Sequence, residues 1–184
     1  MANYLSYKQG TFPFKNLGLL VGANMNRVRD WNSVIEIFKN CLSLWKAKML
    51  SYGGRITLIT SVVNSLPTYY FSLYKAPIQV LDSLDKIRRV FFWGGSEEKA
   101  KMNWVTWDKT IAPIEYGVLG FGSLRDANLA MLAKWWWRFE TEKEVLWRRV
   151  VWAIHHNPRA WSDISVKIYV PGPWKNIIST RQAL

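Results

Sequence analysis

Apolar residues recur at helical spacing through much of the first half of the chain. Between residues 31 and 49 they fall three or four positions apart, which is the spacing of one face of an α-helix. Asp30 comes just before this stripe and is predicted to cap the helix at its N-terminus. The stripe consists of Trp31, Val34, Ile35, Phe38, Cys41, Leu42, Trp45 and Met49.

Two further helices are predicted between residues 55 and 94. The glycine pair Gly53-Gly54 interrupts the first stripe, because glycine admits backbone angles that are closed to other residues. The second helix is predicted to begin near Arg55 and to be interrupted at Leu66-Pro67. The third is predicted to follow Pro77 and to end at Gly94, since proline suits a first helical turn and glycine a helix end.

The segments that flank these helices have a different pattern. "QGTFPFKNLGLLVG" is rich in glycine and aromatic residues and predicts a β-hairpin or irregular turn, with Phe12, Phe14 and Leu17 as anchors. "MNWVTWD" alternates and predicts a short strand. "PIEYGVLGFGS" predicts a glycine-rich connection, whose glycines we interpret as structural turns rather than a nucleotide-binding loop.

The C-terminal third contains three consecutive tryptophans on a predicted helix. Ser123, with Asp126 three residues later, predicts the start of this helix. Trp135 continues its apolar stripe, whereas Trp137 is turned by about 200° from Trp135. We interpret the cluster as core packing rather than a base-stacking surface. The predicted partner is a second helix, with Leu146, Val150 and Ile154 at the contact.

These elements predict a mainly α protein: a small helical bundle with a short N-terminal β-hairpin, a short mid-chain strand region and a C-terminal tryptophan-rich helical pair. Five segments follow from the same pattern. They are a hairpin-like segment (1–30), a helical region (31–95), a strand and glycine-rich connection (96–122), a helical pair (123–160), and a tail or the start of a further domain (161–184).

Composition restricts the possible functions. The chain has 184 residues, 49% of them hydrophobic, and a formal net charge of +12. Such a charge favours partners that carry phosphate or an anionic surface. No apolar run reaches the roughly 20 residues that span a bilayer. A single cysteine excludes an intramolecular disulfide and is compatible with a reducing compartment, which gives an intracellular expectation without deciding between cytoplasm and nucleus.

The basic residues are concentrated in the first half of the chain. No acidic residue lies between Ile37 and Leu81, whereas five basic residues do: Lys39, Lys46, Lys48, Arg55 and Lys75. A glycine turn before a helix start would leave backbone N–H groups and a positive dipole end facing outward, and such an end suits a phosphate. A bundle with solvated lysines remains an alternative interpretation.

Six blocks in one order give a family resemblance. They are "FPFKNLGLLVGAN", "LSLWKAKMLSYGGRITLITSVVNSLPTYYFSLYKAP", "IRRVFFWGG", "NWVTWDK", "GVLGFGSLRDANLAMLAKWWWRF" and "LWRRVV". Their order and spacing resemble plant non-LTR retrotransposon reverse transcriptases, in the part that follows the polymerase active site. The resemblance extends to about Val151.

The resemblance implies a site. "FPFKNLG" resembles a hairpin near the primer end, and "WKAKMLSYGGR" resembles the start of the thumb, whose basic helices hold the template–primer duplex. The implied partners are RNA and DNA, bound without sequence preference, together with the palm and fingers of the polymerase; a membrane is not expected. The candidate contact residues are Lys15, Gly18, Lys46, Lys48, Gly53, Gly54 and Arg55.

The sequence lacks the carboxylate pattern that the family uses for nucleotide addition. Two-metal catalysis needs carboxylates that hold both ions, and in the family these come from an Asp-Asp turn and an earlier aspartate. The chain contains no Asp-Asp pair. We therefore expect no catalytic residue, no metal site and no cofactor in this chain, although the full-length enzyme would use Mg²⁺. The alternatives are a helical protein-interaction module and, less favoured, a membrane-surface protein.

Overall fold

The computed structural model describes residues 11–16, 18–44, 49–94, 105–116, 119–155 and 172–181. These ranges are mainly helical and include one two-stranded antiparallel hairpin, which confirms the predicted fold class. The helices are α1 (Asn32–Leu44), α2 (Tyr52–Ser61), α3 (Thr68–Phe71), α4 (Ile78–Trp93), α5 (Trp107–Ile111), α6 (Leu124–Thr141), α7 (Leu146–His155) and α8 (Trp174–Arg181). Short 3-10 helices cover Val28–Trp31, Val63–Ser65 and Ile114–Tyr116.

The N-terminal hairpin consists of β1 (Phe14–Asn16) and β2 (Leu19–Val21), with Phe14 opposite Val21. Its turn contains Gly18 at φ +85°, a left-handed conformation that glycine adopts without steric cost. The predicted anchors are wrong for Phe12 and Phe14, because both rings are exposed. Leu17 lies outside the described residues. The hairpin instead packs on the main core through the side chain of Leu19.

The start of α1 differs from the prediction. Asp30 is not its N-cap, because the residue lies within the 3-10 helix Val28–Trp31 and α1 begins at Asn32. The predicted stripe is nevertheless correct over its first three turns. Trp31, Val34, Phe38 and Leu42 are all buried. Met49, the last predicted member, is exposed.

The glycine pair does not form a turn between two helices. α2 begins at Tyr52, so both glycines lie in its first turn, and neither has a positive φ. The helix starts earlier than predicted because Ser51 caps it: the Ser51 hydroxyl accepts a hydrogen bond from the Gly54 amide at 3.2 Å. α4 agrees with the prediction, beginning after Pro77 and ending at Gly94, which is left-handed at φ +68°.

The predicted mid-chain strand is wrong where it can be compared. Residues 107–111 form α5 instead, while residues 102–104 of the strand lie outside the described ranges. Trp107 and Thr110 are both buried, and their three-residue separation is helical spacing. The connection that follows is irregular, as predicted. Gly120 and Gly122 have positive φ values of +66° and +73°.

The main hydrophobic core joins α1, α2, α4 and the start of α6. Arg88 of α4 is fully buried in this region. Its guanidinium contacts the Asp85 carboxylate at 2.7 Å and donates to the carbonyls of Phe121 and Gly122, each at 3.0 Å. Burial lowers the pKa of Arg88, although the Asp85 charge opposes this effect. The buried arginine therefore fixes the glycine-rich connection against α4.

A second, smaller core lies between α6, α7 and α8. Its buried members are Leu132, Phe139, Trp174 and Ile177, and Trp135, Trp136 and Trp147 pack against them. Residues 161–184 are predicted to be a tail or the start of a further domain; within them, residues 174–181 form α8 and supply two of the buried residues of this core. The three adjacent tryptophans separate as expected: Trp136 stacks on Phe139, whereas the side chain of Trp137 is 69% exposed.

The predicted contact face of α7 is wrong. Leu146, Val150 and Ile154 are exposed, and Trp147 and Val151 pack on the smaller core instead. α8 and Trp147 cover the apolar surface of α6. The ring centroids of Trp174 and Trp147 lie 4.9 Å and 6.0 Å from that of Phe139. The residues at positions 146, 150 and 154 therefore do not take part in this contact.

Replacing Trp135 with alanine is expected to lower the free energy of unfolding by about 3 kcal/mol. The ring packs on the smaller core, and its indole N–H donates to the Ser72 carbonyl at 2.6 Å. The matched change at exposed Trp137 should cost less than about 0.5 kcal/mol. Urea unfolding of the two variants compares these costs, and equal losses would contradict the core position of Trp135.

Candidate nucleic-acid interface

The turn of the hairpin is fixed to the helical bundle by one tyrosine. The Tyr70 hydroxyl donates to the Gly18 carbonyl at 2.6 Å. Tyr70 lies on α3 and is buried, with its ring 5.8 Å from that of Trp31. Through the Tyr70 ring, the hydrogen bond thus connects the turn to Trp31, a fully buried tryptophan of the main core. Sequence reasoning identified Gly18 but missed Tyr70, whose only signal was a hydroxyl within an apolar run.

Arg55 is a buried residue that connects two helices of the bundle. Its side chain is buried, and Nη1 donates to the Phe92 carbonyl at 2.9 Å, so the start of α2 is tied to the end of α4. A Cβ atom on Gly94 would lie 2.6 Å from Arg55 Nη1. Glycine therefore provides the space for the guanidinium as well as the helix end. This burial disfavours the predicted phosphate contact of Arg55.

The glycines beside Arg55 form a capped helix start rather than an open turn. The amide of Gly54 is engaged by the Ser51 hydroxyl, so that N–H group does not point freely toward a ligand. The amide of Arg55 bonds the Ser51 carbonyl at 3.0 Å. The start of α2 therefore offers fewer unpaired N–H groups to a phosphate than an open glycine turn would. Phosphate contacts at Gly53 and Gly54 stay predictions that rest on the family resemblance.

The structure describes less of the lysines in the predicted site. Lys46 and Lys48 lie outside the described residues. Lys15 lies in β1, where its Cα is paired with that of Leu20. Their proposed contacts with phosphate stay predictions. The structure thus brings Gly18 to Tyr70 of α3, and Arg55 to the end of α4, which are different parts of the bundle.

Charge is asymmetric along the chain. Residues 1–81 contain nine basic and two acidic residues, a net charge of +7, whereas residues 82–184 contain sixteen basic and eleven acidic residues, a net charge of +5. Among the described residues of the first part, four basic side chains are exposed: those of Arg27, Arg29, Lys39 and Lys75. Arg29 contacts Asp30 at 3.5 Å, but its side chain is 70% exposed, so this ion pair neutralises little.

Exposed aromatic side chains accompany this charge. Phe12 and Phe14 project from the hairpin, and Tyr52 and Tyr69 are exposed on α2 and α3. From the sequence, both phenylalanines were predicted to be anchors of the hairpin. Their alternation in "FPFK" places them on one side of an extended segment, but that pattern does not reveal whether the side faces the core or the solvent.

Two features are not found among the described residues: a cluster of metal-binding side chains and a membrane-spanning helix. Among them, no three histidine, cysteine, aspartate or glutamate residues form a group that could hold a metal ion. In the same ranges, no helix combines the length and apolar character needed to cross a membrane.

Two plant proteins resemble the chain. It is 34% identical over 126 residues to a putative ribonuclease H protein of Arabidopsis thaliana; the match covers 68% of this chain and 20% of that protein. It is 29% identical over 121 residues to an uncharacterized mitochondrial protein of the same plant, covering 65% of this chain and 79% of that protein. The chain thus spans about a fifth of the first relative. No protein-family model matches it, and no solved structure matches it significantly.

Proposed function

We propose that this chain is a non-catalytic, nucleic-acid-holding portion of a retroelement reverse transcriptase. The observation that carries the proposal is the docking of the hairpin turn on the helical bundle through Tyr70 and Gly18. This docking lies within the part of the chain that carries a net charge of +7. It supports a hairpin held in a fixed position on the bundle, against which a nucleic-acid backbone would lie.

The proposed ligand is a template–primer duplex of RNA and DNA. Phosphates present the same charge whatever the base sequence, so contacts from lysine and arginine hold a duplex without reading it. Lys15 on the hairpin and the lysines at positions 46 and 48 are the contact residues that we favour. Arg55 is removed from this set because its guanidinium is buried against the end of α4.

The name of one plant relative supports a role with nucleic acid. The name of the first denotes a ribonuclease H, a nuclease that acts on RNA, and the matched region is only a fifth of that protein. The remaining parts of a longer polymerase, its palm and fingers, are the proposed protein partners. Those parts would hold the Mg²⁺ ions and add the nucleotides, while this chain would keep the duplex in place.

Replacing Lys15, Lys46 and Lys48 together with glutamine is expected to flatten the salt dependence of duplex binding. Each phosphate contact contributes roughly 0.7 to 0.9 to the slope of log affinity against log salt, so three contacts contribute about two units. Fluorescence anisotropy with a labelled RNA–DNA duplex at several salt concentrations measures this slope. Affinity should fall about equally for unrelated duplex sequences.

The matched control replaces Lys134, Lys143 and Lys175 with glutamine. These three lysines are exposed, and they lie in α6, in the α6–α7 connection and in α8, respectively. Their removal changes net charge by the same amount and should leave most of the slope intact. Equal flattening by both triple variants would contradict a located site.

Two other outcomes would favour the alternative functions. A slope near zero in the unaltered protein would favour the protein-interaction module, and tryptophan fluorescence that responds to anionic vesicles would favour a membrane-surface role.

A further inference from the structure

Two phenylalanine rings lie side by side on the outside of the hairpin. The side chains of Phe12 and Phe14 are 71% and 44% exposed, and their ring centroids are 5.5 Å apart at an interplanar angle of 45°. Neighbouring exposed aromatic rings keep apolar surface in water, where it contributes nothing to the stability of the fold. Contiguous exposed apolar side chains of this kind are typical of a ligand-binding or interaction surface.

The backbone of the hairpin makes room for this arrangement. Gly22 follows β2 at φ +84°, and the Phe12 ring lies directly against it, at a place where a Cβ atom would clash. Phe12 is thereby held against the hairpin backbone, while most of its side chain remains open to solvent. The turn of the same hairpin is held by Tyr70. The aromatic pair therefore lies on a hairpin whose position is fixed by contacts with the bundle.

The electrostatic surroundings favour an anionic partner. Asp30 is the first acidic residue of the chain, so no carboxylate lies in the sequence around the hairpin. Arg27 and Arg29 follow the hairpin closely, and both are exposed. Aromatic rings beside basic residues bind single-stranded nucleic acids in many proteins, because bases stack on the rings while the phosphates meet positive charge.

We propose that Phe12 and Phe14 form a stacking platform for unpaired bases of a single-stranded nucleic acid, such as a strand that extends beyond the duplex. A base inside a duplex has both faces covered by its neighbours, so the rings reach only an unpaired or terminal base. Every base has a π-face, and binding is therefore tolerant of sequence. The inference rests on the proposed function, to which it adds a preference for unpaired bases.

An oligonucleotide without bases separates stacking from charge. The probes are a thymidine oligonucleotide of about 12 nucleotides and an abasic oligonucleotide of equal length, which has the same phosphates. The full chain should bind the thymidine probe about tenfold or more tightly than the abasic probe. Replacing both phenylalanines with leucine (F12L and F14L) should remove most of this ratio and leave the affinity for the abasic probe unchanged.

The control variant is Tyr116→Leu, which removes another highly exposed aromatic ring and should leave the ratio intact. Single Phe12→Leu and Phe14→Leu variants should give intermediate ratios, and all variants should retain the thermal midpoint of the unaltered protein because these rings lie outside the core. A ratio unchanged in the double variant, or reduced equally by Tyr116→Leu, would overturn the platform while leaving phosphate binding in place. Failure of the unaltered chain to bind the thymidine probe would overturn the platform alone, since the proposed function is tested separately by binding of the RNA–DNA duplex.

Discussion

Replacing Arg88 with methionine is expected to lower the free energy of unfolding at pH 7 by about 3–5 kcal/mol. The arginine is fully buried, and the change removes its contact with the Asp85 carboxylate and its hydrogen bonds to the Phe121 and Gly122 carbonyls. A partly buried carboxylate and two carbonyls would then lack their donor. The loss exceeds that for an exposed arginine because water cannot replace the missing contacts.

The cost of this change should depend on pH. Burial raises the pKa of Asp85 above its ordinary value, while the Arg88 charge and hydrogen bond act to lower it. Without Arg88 the pKa of Asp85 rises further. Below its ordinary value near 4, Asp85 is protonated in both the folded and unfolded states; as pH increases, the unfolded state ionises first and the folded state loses stability. The variant should therefore be less destabilised at pH 4 than at pH 7.

A double variant provides the control. Combining Arg88→Met with Asp85→Asn removes the unpaired charge, so it should be more stable at pH 7 than Arg88→Met alone and should lack the additional pH dependence. Urea unfolding of both variants and of the unaltered protein at the two pH values measures these differences. A single variant with the same loss at pH 4 and pH 7 would argue against the coupling of Arg88 to Asp85.

Replacing Asn128 with alanine is expected to cost about 3–5 kcal/mol, since three buried backbone groups lose their partner. The Asn128 side chain accepts from the Ala76 amide at 2.9 Å and donates to the carbonyls of Phe71 at 3.0 Å and Tyr74 at 2.9 Å. These bonds attach the segment between α3 and α4 to α6. Urea unfolding measures the loss.

The same substitution at Asn24 is the matched control for Asn128. Asn24 is exposed, and its side chain accepts one hydrogen bond, from the Asn26 amide at 3.2 Å. Its replacement should cost about 1 kcal/mol or less. If Asn128→Ala costs no more than Asn24→Ala, the segment from residue 71 to residue 76 does not depend on the asparagine.

Local sequence signals predicted the helices whose ends are locally determined. α4 has a regular apolar stripe between Pro77 and a left-handed glycine at position 94, and its bounds agree with the prediction. The start of α2 was not predicted because residues 51–54 contain two competing signals. A glycine pair suggests a turn, but the serine before it caps a helix, and the cap determines where the helix begins.

The roles of the arginines could not be predicted from charge. Arg55 and Arg88 each bind carbonyl groups that lie more than 30 residues away in the sequence. A guanidinium can be buried when it meets such groups at helix ends and in loops, and their positions arise only from the packing of several elements. The sequence thus indicated a basic segment, but it did not indicate which of its side chains face solvent.

The faces of the C-terminal helices were also beyond local reasoning. α7 has apolar residues on more than one side, and the stripe chosen from spacing is the exposed one. The side that packs is selected by Trp147 and by the presence of α8. No pattern within residues 146–155 contains information about a helix that begins at residue 174.

α6 is shared by the two cores. Leu124 belongs to the main core, whereas Leu132 and Phe139 belong to the smaller one. Regions of a protein that draw on separate contacts can open separately by local unfolding. The C-terminal half of α6 can therefore fray together with α7 and α8 once the hydrogen bond from Trp135 to the Ser72 carbonyl is broken, while its first turns stay attached to the hairpin-bearing bundle. Sequence changes that weaken the tryptophan cluster would then be tolerated without releasing the surface on which we place the nucleic acid.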